Sequence, residues 1–198
     1  MNSKFWDRLA PIYNLFMSKD HKAYEQMYEL ILEQVKDRKV LELATGTGLI
    51  AKHIADDVQS IEATDFSEKM IENAKKGRTS SKLHFSVQDA CNLPYEAASF
   101  YVVIISNALH IMPEPKKALA EIRRVLRPDG LLIAPTFTHG KMNVASRLLS
   151  KLMGVVGFHT EEKWTSEAYI DFLEQNGWKI CRSKTIQASF PLTYVECR

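Results

Sequence analysis

The sequence predicts an α/β fold: a seven-stranded, mostly parallel sheet with helices on both faces and a C-terminal antiparallel hairpin. Three observations carry that expectation. Short apolar, β-branched runs alternate with helical patterns through the middle of the chain. One run, residues 100–106 (F-Y-V-V-I-I-S), is almost unbrokenly apolar, as a strand buried on both faces must be. The last stretch holds two strand-like runs with no helix between them.

The elements follow in order. Residues 39–43 are the first expected strand, 60–64 a short second ending at Asp65, and 83–88 an alternating third ending at Asp89. Residues 100–106 are the fourth and 131–136 the fifth. Helical patterns at 49–57, 68–76 and 116–126 lie between them. Ser67 is placed to cap the second of these. Pro113 and Pro115 mark the start of the third, and Arg127-Pro128-Asp129-Gly130 the turn that ends it. Strand-helix alternation of this kind implies parallel strands covered on both sides.

The two ends differ from the middle. Residues 20–36 are an amphipathic helix candidate, preceded by the aromatic-rich K-F-W-D-R-L-A-P-I-Y-N-L-F. Residues 141–153 are another helix candidate, ended by Gly154 and Gly157. Thr165 or Ser166 then caps a helix to about Asn176, with Gly177 as its stop. Residues 178–185 and 188–195 form the terminal hairpin. There is no internal repeat, low-complexity segment or linker, so residues 1–198 read as a single domain with 1–36 as an N-terminal helical cap.

Bulk properties exclude several classes. Apolar residues make up 45% and charged residues 25%, the balance of a soluble globular protein. A net charge of +2 argues for neither nucleic acid nor a membrane surface as partner. Cys91, Cys181 and Cys197 are scattered and make no C-x-x-C or Cys/His metal spacing, so no metal site is expected and the cysteines read as reduced, in a cytoplasmic protein. Residues 1–7 carry charge and no apolar h-region, so a secretory leader is not expected. No apolar run approaches the ~18 residues of a membrane span, although peripheral contact with a lipid-like acceptor is compatible with the sequence.

The most informative segment is Val40-Leu41-Glu42-Leu43-Ala44-Thr45-Gly46-Thr47-Gly48. An apolar run stops at a small-residue turn that feeds a helix, the joint where a nucleotide sits in an α/β sheet. Gly46 to Ala51 satisfies the dinucleotide pattern G-x-G-x-x-A, and Asp65 follows Gly46 by 19 residues, near the ~20 expected of a ribose-binding acid. An NAD(P)-dependent oxidoreductase is therefore one alternative. Against it, Glu42 would repel a pyrophosphate, whereas a sulfonium or an amino group would favour it. No Y-x-x-x-K occurs at any of the seven tyrosines, and the chain ends in a hairpin in place of further βα units.

With these residues in view, the chain resembles a class I S-adenosylmethionine-dependent methyltransferase of the small-molecule group that includes quinone-biosynthesis and phospholipid N-methyltransferases. The family's loop is (D/E)-x-G-x-G-x-G; residues 42–48 keep the acid and the last two glycines, with Ala44 in place of the first. Ala63-Thr64-Asp65-Phe66-Ser67 resembles the second-strand motif, and Val87-Gln88-Asp89-Ala90 the third. Residues 100–110 resemble the fourth strand and its following loop, and Leu126-Arg127-Pro128-Asp129-Gly130 the L-(K/R)-P-G-G before the fifth. The resemblance implies a Rossmann-like methyltransferase sheet, S-adenosylmethionine as cofactor and S-adenosylhomocysteine as product. A non-catalytic S-adenosylmethionine-binding module stays open as a third class.

The resemblance also implies roles. Ala44, Thr45, Gly46 and Gly48 let the backbone close on the methionine part, on the expectation that Ala44 has ordinary dihedrals. Glu42 fixes the loop or takes the amino group, with an N-cap-like structural role as the alternative. Asp65 accepts both ribose hydroxyls, Phe66 and Met70 sandwich adenine, and Asp89 with Ala90 faces its amino group. Tyr13 covers the cofactor. Asn107 stands near the donor, and His110 is a candidate base beside His139 and His159, with no way to choose among the three histidines. Methyl transfer is an in-line displacement, so alignment and exclusion of water supply most of the catalysis. The apolar segment 137–165 is the expected acceptor lid, which points to a small apolar or amphiphilic acceptor.

Overall fold

In the computed structural model, which describes residues 20–77, 80–139 and 163–198, successive side chains of the central strands go to opposite faces of one sheet. On β1 (Lys39–Leu43), Val40 joins one core, and Leu41 and Leu43 the other. On β4 (Phe100–Ile105), Val102 and Ile104 join the first, and Val103 and Ile105 the second. This is the period-two pattern of strands with no solvent face. Helices α1 (His21–Val35), α2 (Leu49–Ile54) and α3 (Glu68–Ala74) cover the first face. Helices α4 (Pro115–Val125) and α5 (Ser166–Gln175) cover the second.

The remaining strands are β2 (Ser60–Asp65), β3 (Leu83–Val87), β5 (Leu126–Ile133), β6 (Thr136–Phe137), β7 (Ile180–Ile186) and β8 (Leu192–Cys197). Strands β3, β2, β1, β4 and β5 lie side by side in parallel. β8 runs antiparallel to β5 and β6 on one edge and to β7 on the other. The eighth strand is a subdivision of the expected fifth. Pro135 offers no N–H to the ladder, so the line breaks there, and β8 pairs with both pieces: Leu132 opposite Cys197 and Thr136 opposite Thr193.

The chain steps from β1 outward to β2 and β3, then returns to β4 on the other side of β1. The point where the order reverses therefore lies between the carboxyl ends of β1 and β4, where open α/β sheets gather ligands.

Caps and stops follow the sequence closely. Ser67 Oγ accepts from Met70 N at 3.1 Å, and Thr165 Oγ1 from Ala168 N at 3.2 Å. Pro115 is the first helical residue of α4. Gly177, at φ 80°, ends α5, with its N–H on Glu174 O and that of Trp178 on Leu173 O. The four residues expected as a turn, Arg127 to Gly130, are a bulge inside β5. The register steps from Phe100–Leu126 to Val102–Leu131, five residues on β5 against two on β4. A Cβ on Gly130 would come within 2.7 Å of Leu126 Cγ and 2.9 Å of Arg127 O, so only glycine fits there.

Candidate active site

At the end of β1 the backbone turns left-handed at once. Ala44 has φ 53°, followed by Gly46 at 58° and Gly48 at 77°. The expectation of ordinary dihedrals for Ala44 is therefore corrected: its methyl group sits where an L-residue pays roughly 1–2 kcal/mol. The turn is pinned to the end of β2. Thr45 N–H donates to Thr64 O at 2.9 Å, and Gly46 N–H to Asp65 Oδ2 at 2.8 Å. At Gly48, a Cβ would meet the Phe85 ring at 2.8 Å. That glycine lets the Phe85 ring of β3 pack against the loop.

Glu42 is 2% exposed. Its carboxylate accepts from Thr45 Oγ1 at 2.8 Å and from the Ala51 N–H in the first turn of α2. Gly48 precedes that helix and has no side chain to cap it, so Glu42 reaches across from the strand and supplies the missing acceptor. Burial pushes the Glu42 carboxyl up to about 8, and the neighbouring Asp65 charge adds to the rise. Asp65 is also buried, with its second oxygen, Oδ1, accepting from Ser67 N–H at 2.9 Å. Two backbone donors thus hold one carboxylate rigidly between the β1 loop and the start of α3.

A cleft opens beside this pair. It is lined by Ala44, Thr64, Phe66, Gln88, Asp89, Ala90, Cys91, Met112, Pro113 and Glu114. Asp89 Oδ1 accepts from Cys91 N–H at 2.8 Å and closes the turn after β3. The wall behind it is braced by α4. Glu121 accepts from Leu93 N–H at 2.8 Å, while Arg124 donates to Leu93 O at 2.9 Å and Tyr95 O at 2.6 Å. The Arg124 guanidinium bonded to Glu121 holds that carboxyl down to about 2.

The end of β4 mirrors that of β1. Asn107 has φ 52°, and its N–H donates to Pro135 O at 2.9 Å. Its carboxamide oxygen accepts from Phe137 N–H at 2.9 Å, and its Nδ2 donates to the Tyr24 hydroxyl at 3.1 Å. His110 follows in a short 3₁₀ turn, Leu109–Ile111, 7% exposed. Its Nδ1 lies 2.9 Å from Thr136 Oγ1. Burial, with His139 nearby, draws His110 down to about 4, so its ring is neutral at pH 7.

Among the expected site residues, the structure brings Ala44, Phe66, Asp89 and Ala90 onto one cleft, while Glu42, Thr45, Gly46 and Asp65 form the hydrogen-bonded turn next to Ala44 and do not line it. Phe66 is 37% exposed at the rim. Met70 does not line the cleft; it is 1% exposed, and its N–H serves the Ser67 cap. Asn107 and His110 stand together at the end of β4. Tyr13, His159 and most of the expected lid fall outside the described residues. The sequence did not single out Gln88, Met112, Pro113, Glu114, Thr136 or Tyr24. The glutamine had a signal, since it directly precedes Asp89 at the end of a strand.

Two carboxyl groups, Glu42 and Asp65, hold the glycine loop, a setting that disfavours a pyrophosphate, while Lys52 Nζ donates to Thr47 O at 3.1 Å. The donor set fits a ligand with hydroxyl groups and positive charge. A carboxylate such as that of Asp65 can accept several hydrogen bonds at once, and Glu42 is one strand position from the loop.

Comparison with known proteins agrees. Residues 41–134 match the model of a methyltransferase domain. The chain is 34% identical over 138 residues to a demethylmenaquinone methyltransferase from Paenarthrobacter aurescens, covering 68% of this chain and 54% of that protein. It is 36% identical over 137 residues to one from Thermotoga maritima, covering 66% and 58% respectively. The chain thus spans somewhat over half the length of these curated relatives. The fold is shared with a methyltransferase solved in complex with the Trm112 methyltransferase activator from Haloferax volcanii, at TM-score 0.82 and 16% identity over 100% of this chain and 96% of the other. The glycine loop between two buried acids, the cleft at the strand reversal and the matched domain agree: this chain belongs to the class I S-adenosylmethionine-dependent methyltransferases.

Proposed function

We propose that this chain transfers a methyl group from S-adenosylmethionine to a small apolar or amphiphilic acceptor, and that the acceptor is of quinol type, as the names of its curated relatives suggest. The observation that carries the reading is the Asp65 carboxylate at the end of β2, bonded to Gly46 N–H of the β1 loop and to Ser67 N–H. Asp65 receives the ribose hydroxyls of the cofactor, Phe66 covers one face of the adenine, and Asp89 with Ala90 borders its edge. Glu42, held protonated by burial, gives up its proton to face the cationic methionine end. S-adenosylmethionine supplies an activated methyl on sulfur, whose departure needs no acid.

The chain's own work is therefore alignment and drying. Asn107 fixes the β4 end against β6 and α1, so that the acceptor side keeps its distance from the β1 loop. His110 is neutral, and in the tautomer whose Nδ1–H donates to Thr136 Oγ1 its Nε2 has a lone pair that can accept from an acceptor hydroxyl. Residues 1–36 act as a cap, with Tyr13 over the cofactor, and 137–165 as the acceptor lid, in one domain. No helix among the described residues is long and apolar enough to cross a membrane, and the cytoplasm is the proposed location.

The test is turnover. Protein with S-adenosylmethionine is offered a panel of reduced naphthoquinols, phenols, amines and thiols, and S-adenosylhomocysteine release is followed. Release with the quinols is the expected result. Release only with strongly polar acceptors contradicts the acceptor class, and no release on any acceptor, despite cofactor binding, favours the non-catalytic module.

A further inference from the structure

The sheet supports the two walls of the cleft unequally. Met112 to Glu114 lead directly into α4. Gln88 to Cys91 follow β3, which among the described strands pairs with β2 alone. Residues 88–99, which link β3 to β4, contain no helix. This wall therefore has no crossover helix of its own to press it onto the sheet. The turn at its tip is local: Cys91 N–H donates to Asp89 Oδ1 at 2.8 Å, and Asn92 N–H to Asp89 O at 3.0 Å.

One residue pair on α4 anchors the link. Glu121 accepts from Leu93 N–H at 2.8 Å. Arg124 donates to Leu93 O at 2.9 Å and to Tyr95 O at 2.6 Å, and its own carbonyl accepts from Ala98 N–H at 3.0 Å. Glu121 in turn fixes the guanidinium, accepting from Nε at 2.8 Å and from Nη2 at 2.7 Å. All three guanidinium nitrogens are used, which takes the flat fork of arginine; a lysine ammonium is a point charge and does not reproduce it. Helix α4 thus carries both walls, one at its first residue and the other in its second half. The walls meet where Cys91 Sγ lies 3.7 Å from Glu114 O.

We propose that Arg124 is a positioning residue for the cofactor's base: by holding Leu93 and Tyr95 it sets where Asp89 stands in the cleft, and with it the preference for a 6-amino purine. The role rests on the reading above, in which Asp89 with Ala90 borders the adenine edge, and it adds the side chain that fixes this edge. Arg124 does not line the cleft and acts through the loop. Once the fork is lost, the link from 88 to 99 shifts, and discrimination by a hydrogen bond, which depends steeply on distance and angle, goes with it.

The test compares S-adenosylhomocysteine with S-inosylhomocysteine, in which an oxygen replaces the 6-amino group, in calorimetric titrations. Wild type binds S-adenosylhomocysteine about tenfold more tightly, the worth of one hydrogen bond to a charged group. Arg124→Met brings that preference within about twofold, and Arg124→Lys lowers it in part. Asp89→Ala removes the preference, and adding Arg124→Met to it changes the preference no further. A merely structural role would lower the urea midpoint and leave the preference alone. Should Arg124→Met not fold, Arg124→Lys decides. A folded Arg124 variant with the wild-type preference, or a further loss in the double variant, overturns the positioning role and leaves the methyl-donor site standing. Wild type that binds both ligands equally overturns the adenine-edge reading, wild type that binds neither overturns the methyl-transfer reading, and the role of Arg124 falls with each.

Discussion

Two neighbouring parallel strands, β1 and β4, end in the same backbone conformation and handle it with different chemistry. Ala44 and Asn107 both turn left-handed, at φ 53° and 52°. Asn107 is a residue that tolerates this region, and its side chain makes hydrogen bonds to Phe137 and Tyr24 in compensation. Ala44 has nothing to bond with and bears the conformation uncompensated, yet it lines the cleft. The difference teaches that the β4 joint is a fastening between elements. The β1 joint keeps its footprint small beside the site and accepts strain to do so.

The largest expected effect breaks the β1 side. Asp65→Ala removes the acceptor for Gly46 N–H together with the proposed ribose ligand. Two charge-assisted hydrogen bonds are at stake, so S-adenosylhomocysteine affinity should fall roughly 100-fold or more, read by calorimetry.

Next comes the buried acid of the same joint. The Glu42 carboxyl titrates at about 8 in the fold against an ordinary value of 4.5. Between those values the native state holds one proton more than the unfolded chain. Stability therefore falls as pH rises through that window, by up to about 1.4 kcal/mol per pH unit. Urea unfolding of Glu42→Gln across pH 5 to 8 should show a flatter profile than wild type. A cationic cofactor ligand should also expel the proton, seen as buffer-dependent heat on S-adenosylmethionine binding near pH 7.

The β4 side should respond in stability more than in cofactor binding. Asn107→Ala loses the side-chain bonds to Tyr24, Ser106 and Phe137 and retains the unfavourable φ, at a cost of roughly 2 kcal/mol in urea unfolding. Asn107→Gly should cost less, because glycine is at ease with the backbone angle. The smallest effect sharpens the contrast from the other direction. Ala44→Gly relieves the left-handed strain but gives the unfolded chain more freedom, for a net gain of about 0.5 kcal/mol. An Ala44→Gly protein that is less stable than wild type would remove the strain from the argument.

The architecture was legible where burial left the chain little choice. Strands β1 and β4 are buried on both faces, and their apolar runs mark them without ambiguity. Helix ends at Ser67, Thr165 and Gly177 were legible because capping chemistry is local. The break between β5 and β6 was not, since a single missing N–H at Pro135 divides one apolar run. The bulge at Arg127 to Gly130 reads locally as a turn, and only its pairing with β4 puts it inside a strand. In the site, Asp65 and the glycine loop were visible as a spacing. The left-handed angle at Ala44, the capping of α2 by Glu42 and the filling of the Gly48 gap by Phe85 depend on contacts between segments distant in the chain. Met70 is buried on α3 and is not part of the cleft lining, a placement that the spacing of Phe66 and Met70 alone did not reveal.

The most direct test of the central claim, a methyl-donor site built on the β1 joint, is a calorimetric titration of wild type and Asp65→Ala with S-adenosylhomocysteine, and of wild type with NADH. The account predicts that wild type binds S-adenosylhomocysteine and not NADH, and that Asp65→Ala binds S-adenosylhomocysteine roughly 100-fold more weakly. Binding of NADH without S-adenosylhomocysteine, or an Asp65→Ala protein that binds S-adenosylhomocysteine as well as wild type does, would contradict it.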